Sequence, residues 1–218
     1  MIANITKHSI SDYLKTEYYQ KIAPCIKGKD ILDVGCVDHD ITVAGDERLW
    51  NHYFIRSLAK NAIGIDIEKD SIKKMQKMGY EVKVMDAEDM KFREKFDVVF
   101  AGELIEHLAN PGLFLRSAKK ALKKNGIIIL TTPNTFSINR LVRVAQKLTN
   151  DPPANLDHTM YFTPQTLKTL AKKSGLKVIN IEYVFFPFNH ESLIIKLNKL
   201  VCKILGERFK EQLIIMLR

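Results

Sequence analysis

The stretch Lys29-Asp30-Ile31-Leu32-Asp33-Val34-Gly35-Cys36 decides how the rest of this chain reads. Ile31, Leu32 and Val34 form a short apolar run of strand type that stops at Gly35. Glycine lets the backbone turn sharply and lets a ligand approach with no Cβ in the way. Asp33 then stands at the carboxyl end of a buried strand, where open α/β sheets bind their ligands.

Outward from this strand, apolar runs predict further strands at 62–67, 81–85, 96–101, 127–132, 177–186 and 211–217. Helical spacing covers 9–26, 46–60, 69–78, 103–124, 136–148, 164–174 and 191–205. Pro111 restarts the fourth of these helices, and Asn125-Gly126 is a turn signal. Thr163-Pro164 is a cap followed by a proline at the first helical position. Such alternation predicts a parallel sheet covered by helices on both faces. No repeat or linker divides the chain, so one domain is expected over 1–218: a helical cap at 1–28, a cofactor-binding core at 29–133, and acceptor-side helices with the last two strands at 134–218. The loop from Gly35 to Asp46 is long and polar for a first strand-to-helix turn, and its part from Val37 to Asp46 reads as a cover over the site; the loop around Pro152-Pro153 reads as an insertion near the active-site face.

The net charge of +9 admits nucleic acid, an anionic membrane or an acidic substrate as partner. The basic residues lie along helical stretches such as Lys69–Lys77 and Arg116–Lys124, as on solvated lysine faces, and no RNA-recognition, zinc-finger or helix-turn-helix pattern accompanies them. Three scattered cysteines give no disulfide or zinc framework and point to a reducing cytoplasm. No apolar run reaches the roughly 18 to 20 residues that span a bilayer, and Met1–Ser11 has no signal-peptide pattern.

An acid stands at or just after the ends of strands one to four: Asp33, Asp66, Asp86 and Glu103. Carboxylates accept hydrogen bonds and attract cations. One after strand two suits the two hydroxyls of a ribose. One after strand three can receive the exocyclic amine of adenine, and one near strand one can face an ammonium group. Four acids with one glycine would repel a pyrophosphate, and no P-loop lysine or second fingerprint glycine is present. The set suits a cofactor carrying an adenosine and a positive charge.

Ile31-Leu32-Asp33-Val34-Gly35-Cys36, Gly64-Ile65-Asp66-Ile67, Met85-Asp86-Ala87-Glu88 and Phe96-Asp97-Val98-Val99 resemble, in order and spacing, the motifs of class I S-adenosylmethionine-dependent methyltransferases. The resemblance is close over 29–133 and loose over the whole chain. It implies a Rossmann-like three-layer αβα sandwich of α/β class, with a seven-stranded, mostly parallel sheet and an antiparallel last strand. It implies S-adenosyl-L-methionine as cofactor and S-adenosyl-L-homocysteine as product. It places Asp33, Gly35 and Cys36 against the methionine part and Asp66 at the ribose hydroxyls, with Val37 and Ile67 as further cofactor-binding candidates. Asp86, Ala87 and Glu88 fall at the adenine, with Ala101, Gly102 and Glu103 close by. The family usually has glycines where this chain has Val37 and His39.

Gly102-Glu103-Leu104-Ile105-Glu106-His107-Leu108 resembles the segment after strand four in ubiquinone-biosynthesis O-methyltransferases and their relatives. On a helix Glu103 and Glu106 would share a face, with His107 one turn from Glu103. An imidazole there can take a proton from a hydroxyl at neutral pH, so His107 is a candidate base; packing at a helix start is its structural alternative. Glu-x-x-Glu-His also resembles a metal-binding segment of some relatives, and these ligand types suit Mg²⁺ or Mn²⁺. The adjacent second histidine of the small-RNA enzymes is leucine at Leu108, and a metal is not the favoured reading.

His158, in Asp157-His158-Thr159-Met160-Tyr161-Phe162-Thr163, resembles a histidine over the acceptor pocket of related enzymes and is the second candidate base. Tyr161 and Phe162 read as packing, and Cys36 as pocket lining. Thr131-Thr132-Pro133-Asn134 ends strand five on the acceptor side, while Arg140 and Arg143 read as solvated residues within reach of an anionic acceptor. The amphipathic helix 191–205 reads as a cover for the sheet, with membrane-surface or dimer contact as its other uses. The favoured function is methylation of an oxygen on a small molecule, a sugar or glycan, or a quinone or lipid precursor. The alternatives are a nucleic-acid methyltransferase and a non-catalytic binding module with a degenerate cofactor loop.

Overall fold

The computed structural model describes residues 9–37, 50–93, 95–145, 157–186 and 193–218. The chain opens with two helices, α1 (Ile10–Tyr13) and α2 (Glu17–Ile26), followed by β1 (Asp30–Val34) and α3 (Asn51–Leu58). Then come β2 (Asn61–Asp66), α4 (Lys69–Lys77), β3 (Val82–Val84), β4 (Phe96–Gly102), α5 (Pro111–Ala121) and β5 (Leu122–Pro133). The chain continues through α6 (Ile138–Ala145), α7 (Pro164–Lys173), β6 (Val178–Val184), α8 (Leu193–Leu205) and β7 (Gln212–Leu217).

The strands form one seven-stranded sheet in the order β3-β2-β1-β4-β5-β7-β6. Pairings from β3 across to β5 are parallel, and β7 is antiparallel to both of its neighbours. The α/β architecture and the antiparallel last strand are as the sequence and its resemblance predict.

Alternation along β1 explains why it is central. Leu32 and Val34 join a core with Phe114, Leu115, Leu167 and Ala171 of α5 and α7. Ile31 points the other way, among Tyr19 and Ile22 of α2 and Phe54 and Ile55 of α3. Asp33 shares the side of Ile31 and so faces α3. Gly35 then turns at φ +75°, a conformation that a side chain resists. Its N–H and that of Cys36 both donate to Ile65 O, at 2.9 and 3.1 Å, which ties the turn to β2.

Four expectations need correction. The helix expected over 9–26 is broken at 14–16, where Thr16 takes an extended conformation ahead of α2 and its hydroxyl donates to Tyr13 O. The helix expected over 103–124 begins only at Pro111. Glu103 instead sits at φ +53° after β4, and residues 105–107 form a single 3₁₀ turn. Glu106 O accepts from Thr159 and Met160 N–H, and Pro111 has no N–H to extend the turn. Glu103 and Glu106 therefore do not share a helix face. The turn at Asn125-Gly126 lies within β5, as a break in register: Phe96 pairs with Leu122, and Val98 with Ile127. His39, the loop around Asp46 and the Pro152-Pro153 loop lie outside the described residues. Among those residues no helix is long and apolar enough to cross a membrane.

Candidate active site

The carboxyl ends of β1, β2, β3 and β4 lie along one edge of the sheet, and the candidate acids come to it from four places in the sequence. At the end of β2, Asp66 accepts from the N–H of Val37 and of Glu68, both at 3.1 Å. The first contact locks the loop after β1 onto this carboxylate. Ile67, next to it, is 66% exposed. Asp86 caps a 3₁₀ turn over Ala87–Asp89 by accepting from Glu88 N–H. Glu88 accepts in turn from Asn110 N–H at 2.7 Å, so the segment after β3 is joined to the start of α5.

Asp33 lies deeper than a surface ligand group. It is 1% exposed, and His52 Nδ1 lies 2.8 Å from its Oδ2. Burial raises the Asp33 carboxyl, and the bond to His52 opposes that rise. Cys36 is also buried; its carbonyl accepts from Trp50 Nε1, and burial pushes its thiol far up. A thiol so raised is a poor nucleophile. Ala101 is fully buried at the end of β4, followed by Gly102.

Glu103 is held by two distant parts of the chain. Thr131 Oγ1 donates to its Oε1 and Gln212 Nε2 to its Oε2, each at 3.1 Å. Burial lifts the Glu103 carboxyl to about 7, against these two bonds and the charge of Arg140. Its folded value thus exceeds the unfolded one, so the ionised form is the costly one. That cost is absent below the unfolded value, grows as pH rises between the two and is complete above about 7. Glu103→Gln should therefore raise the melting temperature at about pH 8 by up to roughly 7–14 °C, and much less at about pH 5. Scanning calorimetry at the two pH values checks the difference.

The acceptor-side cluster forms where the 3₁₀ turn meets the strand-like stretch before α7. Thr159 N–H and its hydroxyl both bond to Glu106 O, which brings His158 beside His107. The two imidazole rings stand perpendicular with centroids 4.6 Å apart. Ligand atoms of Glu106, His107 and His158 all lie within 4.8 Å of one another. Glu106 is 1% exposed: Thr132 Oγ1 donates to its Oε2, and Oε1 has no partner among the described residues. Burial, then the charge of Glu103, raises the Glu106 carboxyl well above its usual range. One acid and two imidazoles in this space can relay a proton or ligate a divalent ion.

Arg140 is not a plainly solvated residue, for its guanidinium lies 5.2 Å from the centre of the Tyr161 ring. The Arg143 side chain lies outside the described residues. Phe162 is core, as expected of it. Sequence reasoning missed His52, Trp50, Tyr18 and Gln212. Tyr18 reaches Thr131 across 113 positions, and Gln212 reaches Glu103 across 109, so no local spacing marks either. The adjacent Trp50-Asn51-His52 at the start of α3 was the one usable signal, since polar residues opening a helix beside β1 face its ligand edge.

Comparison with known proteins identifies the family and the fold. A methyltransferase domain family model matches residues 7–181. The ubiquinone biosynthesis O-methyltransferase of Pelagibacter ubique is 28% identical over 173 residues, covering 74% of this chain and 67% of that protein. The protein of the same name from Hydrogenovibrio crunogenus is 29% identical over 165 residues, covering 69% and 63%. The chain thus spans about two thirds of the length of these relatives. The crystal structure of an S-adenosylmethionine-dependent methyltransferase from Archaeoglobus fulgidus superposes with a TM-score of 0.60 at 20% identity, covering 94% of this chain and 93% of that one, and shows the shared fold. The chain belongs to the methyltransferase domain family, as a class I S-adenosylmethionine-dependent methyltransferase related to the ubiquinone O-methyltransferase-like branch.

Proposed function

We propose that the protein methylates an oxygen of a small molecule, in the class of sugars or glycans and quinone or lipid precursors, with His107 removing the acceptor's proton. The observation that carries this reading is the perpendicular His107–His158 pair beside buried Glu106, next to the sheet edge with the cofactor acids. The names of the curated relatives support an oxygen acceptor.

The residues present fit S-adenosylmethionine. Asp66 offers carboxylate oxygens for ribose hydroxyls, and Ile67 an exposed apolar face for the adenosine. Asp86, Ala87 and Glu88 would hold the adenine, Asp33, Gly35, Cys36 and Val37 would shape the methionine end, and Ala101, Gly102 and Glu103 would supply the β4 side of the site. When bound, the cofactor supplies a methyl group on a positively charged sulfur. The chain supplies position: it aligns the acceptor oxygen for in-line attack, which accounts for a large part of the acceleration. A ring nitrogen of His107 takes the hydroxyl proton, and His158 fixes the orientation of the His107 ring or shares the proton.

Transfer of labelled methyl groups to dihydroxylated aromatics and sugars tests this reading. Label on an oxygen supports it; label on nitrogen, or on nucleic acid alone, contradicts it. A second reading, favoured by the close approach of Glu106, His107 and His158, has these residues hold a divalent ion that lowers the acceptor's pKa. With His107 as base, methyl transfer persists in excess EDTA. Loss of transfer in EDTA, restored by Mg²⁺ or Mn²⁺, would select the second reading.

A further inference from the structure

We propose that His52 is a positioning residue for the amino-acid end of S-adenosylmethionine: through Nδ1 it fixes the Asp33 carboxylate at the end of β1, just before the Gly35 turn that would meet the ammonium group. This rests on the cofactor reading above.

The geometry sets the pair apart from an ordinary core contact. Both side chains are essentially inaccessible, and Nδ1 lies 2.8 Å from Oδ2. A carboxylate so buried needs a donor to stay ionised. Facing an ionised Asp33, Nδ1 must be the protonated nitrogen. Replacing a buried acid–imidazole pair with apolar residues of the same size is often neutral or stabilising, so packing alone does not account for this pair two residues before Gly35.

The ring is also held in one orientation from several sides. Trp50 and Tyr80 pack against it with centroids at 5.6 and 5.5 Å. Gly64 of β2 leaves room for it: a Cβ there would lie 2.8 Å from His52 Cε1 and 2.7 Å from Cys36 Sγ. Glycine within a strand weakens the strand, and here it admits the imidazole. Among the described residues Nε2 has no partner, so the polar contact of this ring is directed at Asp33.

Two ligands separate this role from a structural one. S-Adenosylhomocysteine carries the amino-acid tail, whereas 5′-methylthioadenosine lacks it. Calorimetry on His52→Leu should show S-adenosylhomocysteine weakened by at least about ten-fold, or ~1.4 kcal/mol, with methylthioadenosine within about two-fold of the native value. His52→Asn puts an amide donor close to the position of Nδ1 and should recover most of the affinity. His52→Gln sets that donor one methylene further out and should behave as His52→Leu does, which keeps a polar variant in hand should the leucine protein fail to fold. Equal weakening of both ligands, or no weakening of either, overturns the proposal, as does an asparagine variant no better than glutamine. Absence of S-adenosylhomocysteine binding by the native chain would contradict the cofactor reading itself, a result distinct from any difference among variants.

Discussion

His107→Ala should lower the turnover number for methyl transfer by about 10²–10⁴ and leave the affinity for S-adenosylhomocysteine unchanged. The size follows from what a positioned base contributes when a proton leaves as a bond forms. The unchanged affinity follows from place: His107 sits in the 3₁₀ turn after β4, beyond the acids assigned to the cofactor. His158→Ala should cost less, about ten-fold, because the native ring lies edge-on to His107 and acts on its orientation. Single-turnover rates with saturating cofactor separate the two variants. A His107 variant at native speed would remove the histidine from the chemistry.

Asp66→Ala should weaken S-adenosylhomocysteine by about 10²-fold. Hydrogen bonds to a charged group are worth about 1.5–3 kcal/mol each, and about 1.4 kcal/mol is a factor of ten. The carboxylate has a second task, since its oxygens accept from Val37 and Glu68 N–H and shape the loop that meets the ligand. Asp66→Asn retains one acceptor oxygen and should fall between the native and alanine proteins. Calorimetric titration of the three proteins checks the order, and equal affinities would remove Asp66 from the cofactor site.

The acids proposed for the cofactor stand out in short-range sequence. Asp33, Asp66 and Asp86 each end or follow an apolar run, and a strand's end is a local event that Gly35 or the following turn makes visible. The acceptor half of the site does not. A helix pattern through Glu103 is plausible from residue spacing, yet Glu106 O is claimed by Thr159 and Met160, some 50 positions on. That tertiary competition overrides local propensity and delays α5 until Pro111. The fixing of Glu103 by Thr131 and Gln212 depends on β5 and β7 being neighbours, which local sequence does not mark. His52 escaped for another reason: its partner was assigned wholly to the cofactor, and nothing in β1 says that Asp33 would be buried.

If the acids along this sheet edge hold an adenosine-bearing sulfonium cofactor, calorimetric titration of the native chain with S-adenosylmethionine, S-adenosylhomocysteine and NAD should show saturable binding of the first two at one site and none of NAD. A folded protein that binds neither of the first two, or that binds NAD in their place, would contradict it.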